Sequence, residues 1–510
     1  MTSASLLLSP PSAKPDTVRF MRFRETIERL LNEKPVWSAA LAVLFVLQLA
    51  LIWTHEPWLD EWQALQIALQ SPDLSALMEN LRYEGHPPLW YLMLRGAAIF
   101  VPPAMVLPVV QTVMAMAIQS LIQFKAPFTR LERLLLGSSF FVLFDYGTLS
   151  RSLSLGVMLL ITAFAYRRHA IGWAAIALLP FADFLFGILS LVCVVLRIRD
   201  KDIRPVNLTI WALCGLASAI SVLPAKDMIP ALVHHGLATD TYLFLTRLSV
   251  LLLPLHGPQY GLQWNQPLPE MIAVVAGPLF LWLGVRLTGD APINRVIFLG
   301  FAAFLFAFSI GVYPLAIRHL SLLALVIIML RWWSHAQSSR QGSQLFMVWI
   351  AAASACGLIT AAVNLVRPFD TAKEAAAYIR DEGLQDKHWL SFPDSRGQGV
   401  SALLGMEFER LERDCTQSFI RWNYRSTIEK QEDLDTVLSQ ITSRYGRVYM
   451  LSDVLIQPDK NAAMYRLLKH IPAGYDGQDY YLWMIAPQLK EKPTRPPRCA
   501  PARLPMQLVH

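Results

Sequence analysis

An acidic pair and a histidine lie close together between two apolar segments, in the stretch from Trp58 to Tyr91. Asp60 and Glu61 come a few residues after the first long apolar run, where a carboxylate can stay hydrated yet reach a lipid headgroup. His86 precedes two prolines, which restrict its backbone. Carboxylates can take a proton from a hydroxyl group, and like charge between neighbours raises one pKa toward a useful range. The stretch is a candidate active-site loop.

Other interpretations of the same residues stay open. Asp60 and Glu61 could be charges favoured at a helix N-terminus, because an amphipathic stretch follows them. His86 could cap or support the loop, bind a substrate, or complete a carboxylate-histidine metal site with the acidic pair.

Two later segments supply cations at the predicted outer ends of apolar runs. Arg151 follows Tyr146 in FDYGTLSRSLSLG, and Arg318 precedes His319 in YPLAIRHLSLLALVI. A lone cation at a membrane boundary needs a compensating anion. For Arg151 that anion could be Asp145, in a purely structural salt bridge. Two separate external clusters of cation and aromatic residue also fit convergence on one anion.

The composition predicts a polytopic membrane protein. Of the 510 residues, 54% are apolar and only 16% are charged, which is too apolar for a soluble multidomain chain. The net charge of +7 arises from cations clustered between apolar runs, so we predict no nucleic-acid surface. Five cysteines show no zinc spacing. The sequence contains no motif for nucleotide binding, serine hydrolysis or zincin chemistry in a suitable context.

Charge asymmetry orients the chain. A basic tail, residues 1–35, precedes the first apolar run from Val36 to Trp53 and carries no evident cleavable signal, so the first loop, residues 54–103, should be external. Pro88 to Phe100 is interpreted as an interfacial helix, because later basic clusters then fall inside. Ile171 to Leu196 is interpreted as a hairpin turning near Asp183. Residues 36–364 would make about eleven passes. The further predicted spans are Ala104–Phe124, Leu134–Phe144, Leu153–Tyr166, Val206–Leu223, Leu268–Val285, Val296–Val312, Leu315–Trp333 and Leu345–Asn364.

A soluble unit follows the last span. Residues 365–495 alternate short apolar runs with helical stretches and predict a small external α/β domain, and residues 496–510 form a loose tail. Helices are predicted over residues 370–383, 427–441 and 461–471. Cys415 and Cys499 could pair in an oxidising compartment, although Cys499 lies in the proline-rich tail.

The motif WLDEW, followed by EGHPPLWYLML, resembles the GT-C superfamily of membrane glycosyltransferases, in particular its protein-mannosyltransferase and aminoarabinose-transferase branches. The resemblance covers roughly Trp37 to Asn364. It implies a GT-C-like fold, a catalytic base in the acidic pair of the first external loop, and a sugar donor carried on a polyprenyl phosphate. Tyr146 with Arg151 is similar to the tyrosine-to-arginine motif of relatives, and Arg318 with His319 is similar to their arginine-histidine pair.

We therefore expect an α-helical polytopic membrane protein that acts as a glycosyltransferase, inverting at the sugar carbon. It would transfer a sugar from a polyprenyl-phosphate donor to a protein, lipid or polysaccharide acceptor on the periplasmic face of a bacterial inner membrane. No cofactor is required by this chemistry, although Asp60, Glu61 and His86 are candidates to bind a divalent metal. The expected catalytic residues are Asp60 as base, Glu61 orienting the acceptor, and His86; those binding substrate or phosphate are Tyr146, Arg151, Arg318 and His319.

Alternatives remain at this point. The external loop from Ala225 to Pro267 could line a sugar site or only form an interfacial aromatic belt; its candidate residues are His234, His235, His256, Tyr260 and Trp264. Outer carboxylates and cations would also serve a transporter or flippase of a lipid-linked sugar. A third alternative is a membrane scaffold without catalytic activity.

Overall fold

The structure is a computed structural model and is mostly helical. It describes residues 15–229, 236–254, 268–335, 340–411, 416–424, 426, 428, 430–456 and 464–487. The helices of the first part are α1 (Pro15–Asn32), α2 (Lys34–Thr54), α3 (Leu59–Gln70), α4 (Leu74–Leu81), α5 (Leu89–Ala97), α6 (Pro103–Lys125), α7 (Arg130–Gly137), α8 (Ser152–Ala165), α9 (Ala170–Ala182), α10 (Phe184–Arg199), α11 (Pro205–Ser221), α12 (Leu237–Leu252), α13 (Glu270–Leu287), α14 (Pro292–Gly311), α15 (Ile317–Leu320), α16 (Leu322–Trp333) and α17 (Arg340–Val366).

Several of these helices are apolar enough to cross a membrane. Among the described residues, five combine sufficient length and apolar composition: α2, α6, α13, α14 and the residues 344–366 of α17. Three more, α8, α9 and α11, are apolar but shorter. The prediction of a membrane protein is therefore supported by long apolar helices. Eleven passes remain a prediction.

The segment from Pro88 to Phe100 is not a full span. It holds only α5, a nine-residue helix, whose length of about 14 Å is roughly half of a hydrocarbon core. Arg95 in this helix donates to the backbone oxygens of Ser71 and Pro72, which ties α5 to the loop between α3 and α4. The interfacial interpretation fits this length.

One predicted span is interrupted, and one predicted hairpin is present. The run from Leu134 to Phe144 is not one helix, because α7 ends at Gly137 and a separate π-helical turn runs from Phe140 to Asp145. The hairpin within Ile171 to Leu196 does turn at Asp183, whose side chain caps α10 by accepting from the Leu185 amide at 2.9 Å. The predicted external loop from Ala225 also contains α12, a 16-residue helix packed on α13 that the sequence reasoning missed.

The C-terminal part is built on a mixed six-stranded sheet, which confirms a small sheet-containing domain. Its strands lie in the order β3-β2-β1-β4-β6-β5, with β1 parallel to β2 and β4. Its elements are α18 (Ala372–Asp381), β1 (Trp389–Phe392), α19 (Gln398–Leu404), β2 (Phe408–Arg410), β3 (Thr416–Gln417), α20 (Gln431–Tyr445), β4 (Val448–Ser452), β5 (Tyr465–Ile471) and β6 (Tyr480–Ile485). The helix predicted over residues 461–471 is wrong, because residues 465–471 form β5 and pair with β6.

This domain docks directly on α3. The Gln63 side chain accepts from the Ile420 amide at 3.0 Å and donates to the Ile420 carbonyl at 2.8 Å. Gln66 donates to Ser401 of α19 at 3.3 Å. Gly399 permits the close approach, since a Cβ there would lie 2.6 Å from Ala372 and 3.2 Å from the Trp62 ring. The C-terminal domain therefore holds the helix that begins with the acidic pair.

Candidate functional site

Asp60 lies in the first turn of α3 and contacts two arginines that come from distant parts of the chain. Its Oδ2 lies 2.7 Å from Nη2 of Arg151, immediately before α8, and 3.3 Å from Nη2 of Arg318, in α15. About a quarter of the Asp60 side chain is exposed, and both arginines are largely buried. Arg151 thus pairs with Asp60 and not with the alternative partner, Asp145. The convergence predicted for these three residues is present.

Trp58 supports both cations. The guanidinium carbons of Arg151 and Arg318 each lie 5.5 Å from the centroid of its buried ring, within the range of cation–π attraction. Nη1 of Arg151 is buried and has no hydrogen-bond partner among the described residues. Asp60 is thus shared by two cations, and a buried N–H donor of Arg151 is left for a further acceptor.

The electrostatics of Asp60 differ from the expectation drawn from the acidic pair. Burial raises the pKa of Asp60, but the guanidinium groups of Arg151 and Arg318 more than offset it, so the pKa lies below its usual value. Like-charge repulsion from Glu61 does not govern this group. The expectation of a raised pKa from the pair is therefore wrong for Asp60, and the physical reason is the pair of arginines.

Glu61 points to a different environment and is fully buried. Its Oε1 accepts from the Ser150 amide at 2.6 Å, and its Oε2 accepts from the Trp58 amide at 3.1 Å and lies 2.8 Å from Nε2 of His55. Because both oxygens of Glu61 also accept from backbone amides, Nε2 of His55 is assigned as the donor in the contact between the two side chains. Sequence reasoning missed His55, whose only signal was its place directly after the first apolar run.

His86 lies beside the arginine cluster. Its Nε2 is 3.9 Å from Oδ2 of Asp183, and about a third of its side chain is exposed. Burial lowers the pKa of His86, and the carboxylate of Asp183 opposes this shift while Arg151 adds to it. His86 is therefore poised to be neutral at physiological pH and can offer a ring nitrogen to a substrate.

Tyr146 and His319 belong to the support of Arg318. The buried Tyr146 hydroxyl donates to the backbone carbonyl of Arg318 at 3.4 Å. Nδ1 of His319 accepts from the Ala316 amide at 3.2 Å, and its ring lies 6.0 Å from that of Tyr313. Both predicted residues are in the neighbourhood of the cluster, where their contacts fix the turn that presents the Arg318 guanidinium.

Glu84 is a further acidic group near Asp60. Its Oε1 accepts from the Gln63 side chain at 2.7 Å. Burial, together with the negative charge of Asp60, raises the pKa of Glu84 to about 7 against the opposing hydrogen bond from Gln63. The only sequence signal was its position two residues before His86.

The proposed metal ligands do not form one set. Asp60 contacts arginines and Glu61 contacts His55, and in the described part of the chain no group of three or more histidine, cysteine or acidic residues has metal-binding geometry. A divalent metal held by Asp60, Glu61 and His86 together is therefore not supported by these contacts. Other predicted residues lie outside the described residues: His234, His235, His256, Tyr260, Trp264, Cys415 and Cys499.

Comparison of the chain with models of protein families, with characterised proteins and with solved structures gives no match.

Proposed function

We propose that the protein is a membrane glycosyltransferase that moves a sugar from a polyprenyl-phosphate donor to an acceptor at the outer face of the membrane. The observation that supports this most is the contact of Asp60 with both Arg151 and Arg318. Two largely buried guanidinium groups that share one carboxylate present several N–H donors side by side, and Nη1 of Arg151 has no partner among the described residues. Such a pair favours an anion with several acceptor oxygens. A phosphate meets that description.

In the proposed reaction the acceptor hydroxyl attacks the sugar carbon bonded to the phosphate. The bond from that carbon to the phosphate oxygen breaks, and polyprenyl phosphate leaves with the electron pair. Arg151 and Arg318 stabilise its developing charge. Asp60 takes the proton from the attacking hydroxyl, and inversion at the sugar carbon follows from the single displacement.

The donor itself would activate the base. With the site empty, the two guanidinium groups hold the pKa of Asp60 below its usual value. A phosphate between the arginines adds negative charge and takes over part of their hydrogen bonding, and both effects raise the pKa of Asp60. Asp60 would then become an effective base only when the donor is bound.

The proposed topology puts this site outside. The basic residues of the N-terminal tail and the interhelical clusters would face the cytoplasm, with about eleven passes in a bacterial inner membrane and the C-terminal domain in the periplasm. Reporter fusions after Glu84 and Asp394 should then give an external signal, and one after Arg168 an internal signal. An internal signal at Glu84 would contradict the proposal.

The decisive experiment uses the purified full chain in nanodiscs. It is supplied with radiolabelled polyprenyl-phosphate sugars and with cell-envelope extracts as the source of acceptors. Transfer of label to an acceptor, with release of polyprenyl phosphate, is expected. In proteoliposomes, movement of intact labelled donor across the bilayer without cleavage would instead indicate the alternative, a transporter of lipid-linked sugar.

A further inference from the structure

A cavity lies on the Glu61 side of the acidic pair. It has a volume of about 230 Å³ and is enclosed by the end of α2, the start of α6 and residues of α18 and α19. Glu61 and His55 line it, whereas Asp60, Arg151 and Arg318 do not. It is therefore distinct from the proposed phosphate site.

Three residues that line it have a buried polar atom with no partner among the described residues, and one of these atoms, Nε1 of Trp62, is a donor. Nδ1 of His55 is the second, and its Nε2 is already occupied by Glu61. Oε1 of Gln111 is the third, while the amide nitrogen of Gln111 donates to the Tyr146 carbonyl at 3.0 Å. Gln111 is 1% exposed. In a neutral ring whose Nε2 donates, Nδ1 carries a lone pair, so the His55 and Gln111 atoms are acceptors that require a hydrogen-bond donor.

The charges around the cavity favour a cationic donor. Glu56, Glu61 and Asp370 line it, against one lysine, Lys373. Lys373 is 62% exposed and pairs with Glu56 at 3.2 Å, so it lies at the rim, where it can also meet an anion. A protonated primary amine supplies both the positive charge and the N–H donors that His55 and Gln111 lack.

Most of the remaining wall is apolar and reaches the surface of α2 and α6, two helices that are long and apolar enough to cross a membrane. Ile52 and Trp53 of α2 and Met105, Leu107 and Pro108 of α6 line it. Trp53 is 50% exposed and Met105 is 43% exposed. A tryptophan at the end of a membrane helix is typical of headgroup depth. The cavity thus combines a polar end with an apolar mouth at the level where lipid headgroups lie.

We propose that this cavity binds a lipid whose head carries a primary ammonium group next to a phosphate. The ammonium donates to Nδ1 of His55 and Oε1 of Gln111, the phosphate lies toward Lys373, and the acyl chains leave between α2 and α6. The ligand is inferred only from the residues that line this cavity. The proposal therefore does not depend on the proposed glycosyl transfer.

The test measures lipid binding to the delipidated full chain by native mass spectrometry. Three phospholipids with the same acyl chains are compared: phosphatidylethanolamine, phosphatidylcholine, which keeps the cation but has no N–H donor, and phosphatidylglycerol, which has hydroxyl donors but no cation. We expect phosphatidylethanolamine to bind about tenfold more tightly than either of the others. Equal binding of the three lipids, or equal binding of phosphatidylethanolamine and phosphatidylglycerol, would overturn the proposal.

A matched pair of variants distinguishes loss of the binding site from general damage to the fold. Gln111→Met removes the unpartnered acceptor and should reduce phosphatidylethanolamine binding about tenfold. Gln123→Met changes another buried glutamine of α6, whose amide also donates to a backbone carbonyl, but Gln123 does not line the cavity. Unchanged binding is expected for it. An equal loss in both variants would refute the site, and His55→Phe, which should also lose binding, checks the second acceptor.

Discussion

Asp60 and Glu61 are adjacent in sequence, yet they occupy opposite environments. Asp60 is partly exposed between two guanidinium groups, whereas Glu61 is fully buried between backbone amides and His55. One residue along a helix turns the side-chain direction by about 100°, so the start of α3 separates two chemical sites. The comparison teaches that an acidic pair need not act as a pair: one carboxylate meets the candidate substrate site, and the other holds the structure that carries it.

The largest effect should come from removing the Asp60 charge. Asp60→Asn keeps the shape of the side chain but cannot accept a proton, so glycosyl transfer should fall by about 10²–10⁴-fold. Radiolabelled sugar transfer by the purified variant measures this. Asp73→Asn is the matched control, because Asp73 is an exposed cap of α4 and Asn also caps helices. Activity near wild type for Asp60→Asn would remove Asp60 from the role of base.

Glu61 should instead govern stability. Glu61→Ala leaves the amides of Trp58 and Ser150 and the ring of His55 without their acceptor, and the loss of unfolding free energy should be about 3–5 kcal/mol. Denaturant unfolding in detergent, followed by circular dichroism, measures the loss. Glu79→Ala, an exposed glutamate on α4, should change stability by less than about 0.5 kcal/mol. Similar losses in the two variants would contradict a structural role.

Sequence reasoning found the groups of the arginine cluster but not their arrangement. Asp60, Arg151 and Arg318 each lie at the end of an apolar run. Their positions predicted that they meet in the fold, because a charge at a membrane boundary needs a partner of opposite sign. Neither the spacing of Asp60 and Glu61 nor their type indicates which side each faces. That depends on the rotation of α3, which is fixed by the C-terminal domain through Gln63.

Local sequence signals also predicted only part of the fold. Hydropathy located the long apolar helices, and short apolar runs between helical stretches indicated a sheet-containing domain after residue 365, since these signals are local. Residues 465–471 were predicted as helix but form β5, because pairing with β6 decides the structure of a short mixed segment. The break between α7 and the π-helical turn at Phe140 had no local signal beyond Gly137.

The two arginines sharpen the comparison on the Asp60 side. Arg151→Ala or Arg318→Ala removes one charge-assisted contact to the proposed donor phosphate. The activation free energy of transfer, measured from the free enzyme and donor, should then rise by about 1.5–3 kcal/mol. The measurement is kcat/KM for the polyprenyl-phosphate sugar. Arg82→Ala, in which an exposed arginine of the same loop is removed, should leave kcat/KM unchanged. Loss of stability without loss of donor use would show that the arginines only neutralise Asp60.

Glu84 adds a pH dependence to the Asp60 side. Its pKa is about 7 in the folded protein, raised from an ordinary value near 4.5. Between these values the folded chain binds a proton that the unfolded chain has lost, so the Glu84 contribution to stability falls as pH rises from about 4.5 to 7. The change should be on the order of 1–2 kcal/mol, allowing for partial exposure. Between pH 5 and pH 7 the wild type should therefore lose more unfolding free energy than Glu84→Gln. Glu79→Gln should retain the wild-type slope.

The smallest effect should come from the ion pair between Lys373 and Glu56, on the Glu61 side. Its atoms are separated by 3.2 Å, close to the Arg318–Asp60 distance of 3.3 Å, so distance alone would predict similar importance. Lys373 is 62% exposed, however, whereas the Arg318 side chain is 13% exposed. Water and salt screen an exposed pair, and ordering two long side chains opposes the attraction, so Lys373→Ala should change the unfolding free energy by about 0–1 kcal/mol. Denaturant unfolding at low and high salt measures it, and the small difference from wild type should vanish at high salt. A loss above about 2 kcal/mol that persists in salt would mean that this contact is as well shielded as those of Asp60. The two sides of α3 would then not differ in how well their ion pairs are shielded from water.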